Sequence, residues 1–570
     1  MLEIPIAAAG VLRDFCEAGM LRLADFHVAR RLAQLAGEAD PTVTLALALA
    51  VRELRLGSVC LDLVTAEATL LPEADLGDAQ APADAVGALT WPEPTAWVAA
   101  VGASPAVARP LDVDAPFRLE GTLLYLDRYW RQERSLARAL RARSELTVDP
   151  IAVTFADDEK FDDLQRAAVV TALRHSTTVI TGGPGTGKTT IVHRMLQALA
   201  PTSPRVALCA PTGKAATRLL AEVGGTSGAT WGGTLHRLLG MRPRSASVEY
   251  HAGNPLPYDV VVVDETSMVS LELMGLLLDA LSERSRLVLL GDPHQLRSVE
   301  AGAVLADIEA ADDLVAAPGG AVARLLHNYR SNDDINALSD AILAGDADAA
   351  LAVLEEAATI ALIDFAGDID PAALPTVRRD ALAVASATRA AALDGDASSA
   401  NAALAGHRIL CGHREGPFGV THWGRSVRSW LATQLDGYGF DHRAYPGQPL
   451  LIQRNGDLFS NGDTAVVIAG GDGSLSAAVD LPAGPVTVAP ALLDDAVDLH
   501  AMTIHKSQGS QFELVSVVLP PPGSPLLTRE LLYTAVTRAR TGLRIYGSRE
   551  ALAAAVETPA RRASGLARAL

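Results

Sequence analysis

The chain has 570 residues, 49% apolar and 20% charged, which excludes a wholly disordered protein and predicts roughly three or four domains. No stretch is long and apolar enough for a membrane span, the N-terminus lacks the basic region of a signal peptide, and Cys16, Cys60, Cys209 and Cys411 are too scattered for a disulfide or zinc pattern, which together predict a cytoplasmic protein with reduced thiols. A net charge of −19 argues, taken alone, against a nucleic-acid partner.

Residues 1–140 read as a mostly helical unit. Leu21, Ala24, Val28, Leu32 and Leu35 recur at helical spacing, as do Leu47, Ala50, Val51 and Leu54. A Pro/Ala/Trp-rich stretch, Pro82 to Pro110, predicts loops between short elements. A second unit, 141–345, alternates short β-branched runs with helical patterns, which predicts a parallel α/β sheet. Its candidate strands are Thr177–Thr181, Val206–Ala210, Val260–Val263 and Leu287–Leu290. A third unit, 346–570, is α/β again, with Leu514–Leu519 and Leu543–Tyr546 as buried strands. The acidic, Ala-rich run 331–405 predicts exposed helices and linkers, and Gly/Asp-rich turns at 454–473 predict a small β insert around 425–500.

The basic residues are unusual: only four of 48 are lysine, Lys160, Lys188, Lys214 and Lys506. Each surviving lysine marks a place where a compact ammonium suits better than a planar guanidinium. Lys188 ends Gly182-Gly183-Pro184-Gly185-Thr186-Gly187-Lys188-Thr189, the P-loop pattern, between a strand and a helix that starts near Thr190. The glycines let backbone N–H groups close around phosphates, and the helix N-terminus adds partial positive charge. Lys188 should reach the β/γ-phosphates of ATP, and the Thr189 hydroxyl should hold Mg²⁺.

Asp264 and Glu265 follow the Val260–Val263 strand, at the edge where parallel-sheet sites form. Asp264 suits Mg²⁺, and Glu265 suits polarising the attacking water. Gln295, in Gly291-Asp292-Pro293-His294-Gln295, can sense the γ-phosphate. Gln165 can read the adenine edge. Arg330 and Arg538 supply positive charge for phosphoryl transfer, and Arg538 reads as part of a helix, aimed away from its own core.

Pro211, Thr212 and Lys214, then Thr234 and His236, then Thr503 and His505, place hydroxyl, cationic and imidazole groups on loops at strand ends. Such groups hold a phosphodiester backbone without reading sequence. Trp231, Phe418 and Phe459 are the stacking candidates, although each also reads as core. Asp158-Glu159-Lys160 has the (D/E)-x-K form of metal nucleases, but no strand precedes it and no nuclease site is expected there.

Taken in order, GPGTGKT, APTGKAA, VVDE, GDPHQL, NYRS, TIHKSQG and YTAVTRAR resemble the superfamily 1 helicases over about residues 160–550. GSVCL, LYLDRYW, LCGHREGPFGV and Asn461-Gly462-Asp463 bring the chain closer to the RecD family, the alpha subunit of exodeoxyribonuclease V. That resemblance implies two RecA-like P-loop motor domains, an SH3-like β insert in the second, and an N-terminal domain that docks on a partner. It implies an ATP-driven motor moving 5′ to 3′ on one strand from a DNA end. It implies RecB and RecC as partners, with the nuclease in another subunit. It also brings Asn455 among the DNA-binding candidates. The chain departs from the family at Thr266, where a small residue is usual, and in a short turn before Asn461. The competing readings are a stand-alone 5′–3′ helicase and an NTP-dependent assembly switch.

The charge, taken by segment, removes the objection to DNA. Residues 251–400 hold −17, whereas 151–250, 401–450 and 501–570, which carry most of the candidate loops, are +4, +2 and +5. Binding responds to the phosphates neutralised locally, not to the total.

Overall fold

The computed structural model describes residues 4–72, 89–109, 114–146, 148–156, 160–224, 230–242, 247–298, 300–311, 320–364, 374–439, 444–456 and 458–570. Asp157, Asp158 and Glu159 lie outside them, as do both ends of the Pro82–Pro110 stretch. Among the described residues, no helix is long and apolar enough to cross a membrane.

The N-terminal region packs helices against a small sheet. Strands β1 (Cys60–Asp62), β2 (Val107–Ala108), β3 (Phe117–Glu120) and β4 (Leu123–Leu126) run in the order β1-β4-β3-β2. This sheet escaped the helical reading of residues 1–140. GSVCL and LYLDRYW supply its adjacent strands, with Cys60 opposite Tyr125. The helix Leu23–Ala36 also buries a different face from the one expected: Phe26, Ala29 and Ala33 are inside, while Val28 is 42% and Leu35 66% exposed. Large apolar side chains misled the periodicity, because two alanines do the close packing. A helix, Pro94–Ala103, stands where loops were expected. Proline at its first turn suits the start, and Glu93 accepts from the Thr95 and Ala96 N–H groups.

The second unit is a parallel sheet of six strands: β5 (Thr177–Gly182), β6 (Val206–Ala210), β7 (Trp231–Thr234), β8 (Val260–Val263), β9 (Arg286–Gly291) and β10 (Gly320–Leu325). Their order is β10-β5-β9-β8-β6-β7. Both faces are covered, so β8 can be four valines: Val261 and Val263 join one core, Val260 and Val262 the other.

The third unit has strands β11 (Ile360–Ile363), β12 (His407–Cys411), β18 (Met502–Thr503), β19 (Phe512–Val518) and β20 (Ala539–Tyr546), all parallel, in the order β11-β20-β19-β12-β18. The β insert between β12 and β18 comprises β13 (Pro449–Leu451), β14 (Thr464–Ala469), β15 (Leu475–Val479), β16 (Val486–Val488) and β17 (Val497–Asp498), antiparallel throughout. It starts later than the expected 425, because Val420–Gln434 is a helix that buries Trp423, Val427 and Leu431 beside Tyr546.

Two segments differ from the expected division. The crossover into the third unit falls near Arg330, because Ile335, Leu338 and Ile342 pack with Val517 and Leu543. The helices expected in 331–405 are present, but they bury one face in the cores of the third unit instead of lying exposed. The C-terminal Leu566, Ala569 and Leu570 leave the third unit and pack with Leu136 and Leu140 under the second. Glu133 anchors that tail, accepting from Tyr125, from Ser564 Oγ at 3.0 Å and from the Gly565 N–H at 3.1 Å.

Candidate active site

The carboxyl ends of β5, β8 and β9 converge with the third unit on a cavity of about 340 Å³. Pro184 to Thr190, Asp264, Glu265, Gln295, Arg330 and Arg538 all line it. Gly182 and Gly183 do not. Their carbonyl oxygens accept from Lys188 Nζ, the Gly183 contact being 2.9 Å. Gly187 needs its left-handed φ of 87°, and a Cβ there would stand 2.5 Å from Gln165 Nε2. Burial lowers the Lys188 pKa, against the pull of Asp292, Asp264 and Glu265. Burial and neighbouring Glu265 push the Asp264 carboxyl up, against Lys188. Glu265 has φ of 52°, an uncommon and costly conformation for a side chain of this size.

Gln165 reaches the site indirectly. It caps its helix reciprocally with Asp162 and donates from Nε2 to the Thr186 carbonyl at 3.0 Å. Each end of the amide keeps one further hydrogen-bonding position, so its first task is to brace the P-loop. Gln295 is 3% exposed and donates to Asp292 Oδ2 at 3.0 Å, leaving its Oε1 buried without a partner among the described residues. Arg330 is exposed and donates to Gln511 Oε1 at 3.0 Å across the gap between units.

Arg538 corrects the helical expectation. The helix ends at Val536, Thr537 is its C-cap, and Arg538 precedes β20. Arg538 is 2% exposed and donates to the carbonyls of Thr534 at 3.0 Å and Ser510 at 3.2 Å. A cation suits those terminal carbonyls. Burial lowers its pKa, while Glu265 and Asp292 raise it.

Several lining residues escaped the sequence reading: Arg218, Glu222, Asp292 and Gln511. Arg218 was the most legible of them, standing one turn after Lys214 on the helix Gly213–Leu219. Tyr533, from the third unit, is buried against the P-loop. Its hydroxyl bonds Asp292, which with burial pushes its pKa up.

The polymer candidates sit at neighbouring strand ends. Thr212 and Thr234 each cap a short helix, after the paired strands β6 and β7. Pro211 is half-buried and His236 exposed. Lys214 Nζ donates to the Gly462 carbonyl of the β insert at 3.2 Å. Thr503, in β18, accepts from the Lys506 N–H at 3.3 Å, and Lys506 Nζ donates to Gln453 Oε1 at 2.6 Å. Burial lowers the pKa of neighbouring His505. Asn455 Oδ1 accepts from the Asn461 N–H at 2.8 Å, holding the turn that faces Lys214. Trp231, Phe418 and Phe459 pack against cores. Thr266 is fully buried and donates to the Val263 carbonyl at 3.1 Å.

Comparison with known proteins places the chain. Residues 165–301 match the AAA domain, and 498–546 match the UvrD-like helicase C-terminal domain. Residues 17–125 match the N-terminal domain of RecBCD enzyme subunit RecD. Over 589 aligned residues the chain is 45% identical to the RecBCD enzyme subunit RecD of Mycobacterium tuberculosis, covering 99% of this chain and 97% of that one. The chain belongs to the RecD family. It is also 46% identical to the RecBCD enzyme subunit RecD of Mycolicibacterium smegmatis, over 98% of this chain and 99% of that one. It is 31% identical to the ATP-dependent RecD2 DNA helicase of Deinococcus radiodurans, over 78% of this chain and 58% of that one. The resemblance read from the motifs is borne out.

One feature of this RecD-family chain joins its two halves. Leu296, next to Gln295, is held at both backbone groups by the third unit. Its N–H donates to Thr534 Oγ1 at 2.9 Å, and its carbonyl accepts from Gln508 Nε2 at 2.8 Å. Gln508 belongs to TIHKSQG and Thr534 to YTAVTRAR.

Proposed function

We propose that the chain is an ATP-dependent 5′–3′ DNA helicase subunit of a RecBCD (exodeoxyribonuclease V) complex, opening duplex ends for recombinational repair. The observation that carries this reading is the shared cavity. Lys188, Asp264, Glu265 and Gln295 enter it from one parallel-sheet unit and Arg538 from the other, with Arg330 at the crossover between them. The two units, which meet near Arg330, are read as RecA-like motors, with an SH3-like insert in the second and an N-terminal docking region, 1–140. RecB and RecC are the partners, single-stranded DNA from a duplex end is the track, and the cytoplasm is the place of action.

The chemistry follows from those groups. Water's oxygen bonds to the γ-phosphorus as the bond to the β–γ bridging oxygen breaks, giving ADP and inorganic phosphate. Glu265 takes the water's proton. Lys188, Arg330 and Arg538 neutralise charge growing on the phosphoryl oxygens, an effect worth about 10³–10⁵ for one well-placed arginine. Thr189 and Asp264 make an all-oxygen donor set suited to Mg²⁺. Bound there, the ion would neutralise phosphate charge. The unpartnered Oε1 of Gln295 suits a hydrogen bond from the attacking water. The Leu296 contacts offer a route from that glutamine to the DNA-side loops.

Co-purification tests the assembly. A tagged chain from its native cell is expected to return with RecB and RecC. A chain that returns alone favours the stand-alone helicase.

A further inference from the structure

A second cavity, of about 570 Å³, opens beside the nucleotide cavity. The two share Arg218, Glu222, Arg330 and Gln511. That common wall is tied across the gap. Arg330 donates to Gln511, and Arg218 donates to the Gly509 carbonyl at 3.2 Å.

The lining is strongly cationic. Lys214, Arg218, Arg330, Arg408 and Arg540 all face it. Against these five cations stand Glu222, Asp480 and Glu513. Two ion pairs, Arg218–Glu222 at 2.8 Å and Arg540–Glu513 at 3.4 Å, balance within the wall and leave Lys214, Arg330 and Arg408 facing Asp480. Three lining side chains, each more than nine-tenths buried, also keep a polar atom without a partner among the described residues: Asn401 Oδ1, Arg408 Nε and Ser510 Oγ. Buried polar groups are normally satisfied, so three exceptions around one cavity suit it to a polar ligand.

We infer that this second cavity is a binding site for a phosphate oxyanion, and that it receives the inorganic phosphate cut from ATP. The inference rests on the ATPase reading above. The oxyanion could instead be a backbone phosphodiester of DNA. The shared wall favours the free ion, because Arg218 and Arg330 border both cavities. The inorganic phosphate thus leaves across the shared wall, past Arg330, while ADP still fills the P-loop. Arg408 is buried against the Phe512 ring, 5.0 Å from its centroid, so its loss would threaten the fold. Arg540 and Asp480 lie on the rim and serve the test better.

Inorganic phosphate is titrated calorimetrically into the full chain saturated with ADP and Mg²⁺. Arg540→Gln is expected to weaken phosphate binding by about threefold, and Asp480→Asn to tighten it by about as much. Opposite shifts from opposite charge changes are not what a merely structural role would give. Absent binding, or an affinity that neither variant moves, overturns the proposal. So does a pair of variants that alters affinity for single-stranded DNA while phosphate binding stays constant, since the site would then serve the backbone. ATP hydrolysis and ADP binding are measured on the same preparations. A wild-type chain that does neither defeats the ATPase reading itself, whereas one that does both without binding phosphate defeats only this proposal.

Discussion

Four lysines stand among 44 arginines, and three of them do one kind of work. Lys188, Lys214 and Lys506 each direct an ammonium at carbonyl oxygens, of the P-loop, of Gly462 and of the Gln453 amide. A guanidinium is too broad and flat for those places. Lysine scarcity was therefore the most informative residue-level signal in the sequence. Arg538 was less legible. Its approach to the cavity depends on the helix stopping at Val536, which spacing alone did not reveal. Lys188→Ala is expected to lower ATP hydrolysis by about 100-fold or more. Circular dichroism should stay unchanged, because Ala keeps the helix start. Normal turnover in that variant would refute the phosphate role.

At the scale of elements, the Leu296 contacts tie the two sheets. Thr534→Val keeps the shape of the side chain but leaves the Leu296 N–H without its buried partner. That costs about 1–3 kcal/mol of the closed arrangement. DNA-stimulated hydrolysis is expected to fall accordingly, and Thr534→Ser to restore it. Equal rates in all three proteins would remove the contact from the coupling. Strand β12 carries a pH-sensitive element. Burial drives the His407 imidazole down to about 3, from 6.5, beside the Ser516 hydroxyl at 2.8 Å. Between those values the unfolded chain holds a proton that the folded chain refuses, so stability falls on acidification. The expected loss from this group is about 2 kcal/mol by pH 5, read by denaturant unfolding. His407→Gln should flatten that slope, and an unchanged slope would contradict it.

The strands that could be read in advance carry buried β-branched or aliphatic runs, most plainly β8 and β9. Those missed were written in weaker letters. β7 is Trp-Gly-Gly-Thr, and β10 contains two alanines and an arginine among its six residues. Their pairing is decided by neighbours rather than by propensity. The helices of 331–405 were misjudged for a related reason, since alanine-rich faces pack closely without looking apolar enough to be buried.

Over the whole molecule, charge is segregated instead of averaged. The net −19 coexists with three net-positive segments, each of which sends a basic side chain to the second cavity: Lys214, Arg408 and Arg540. The isolated chain is expected to bind single-stranded DNA weakly, and to lose affinity steeply as salt rises. Tight, salt-resistant binding by the chain alone would contradict that. Glu133 joins the N-terminal region to the C-terminal tail, and Arg143 on the same helix donates to Thr177 and to the Ser285 carbonyl of the first parallel unit, so that a docked partner would rest on the frame that carries the P-loop. The account stands most directly on polarity-resolved unwinding. Duplexes with a 5′ or a 3′ single-stranded tail are offered to the protein with ATP and Mg²⁺, with and without co-expressed partners. Strand separation of the 5′-tailed duplex, lost in Lys188→Ala and absent with the 3′ tail, is the expected result. Robust hydrolysis that DNA does not stimulate, with neither duplex opened, would contradict the account and leave an NTP-timed switch in its place.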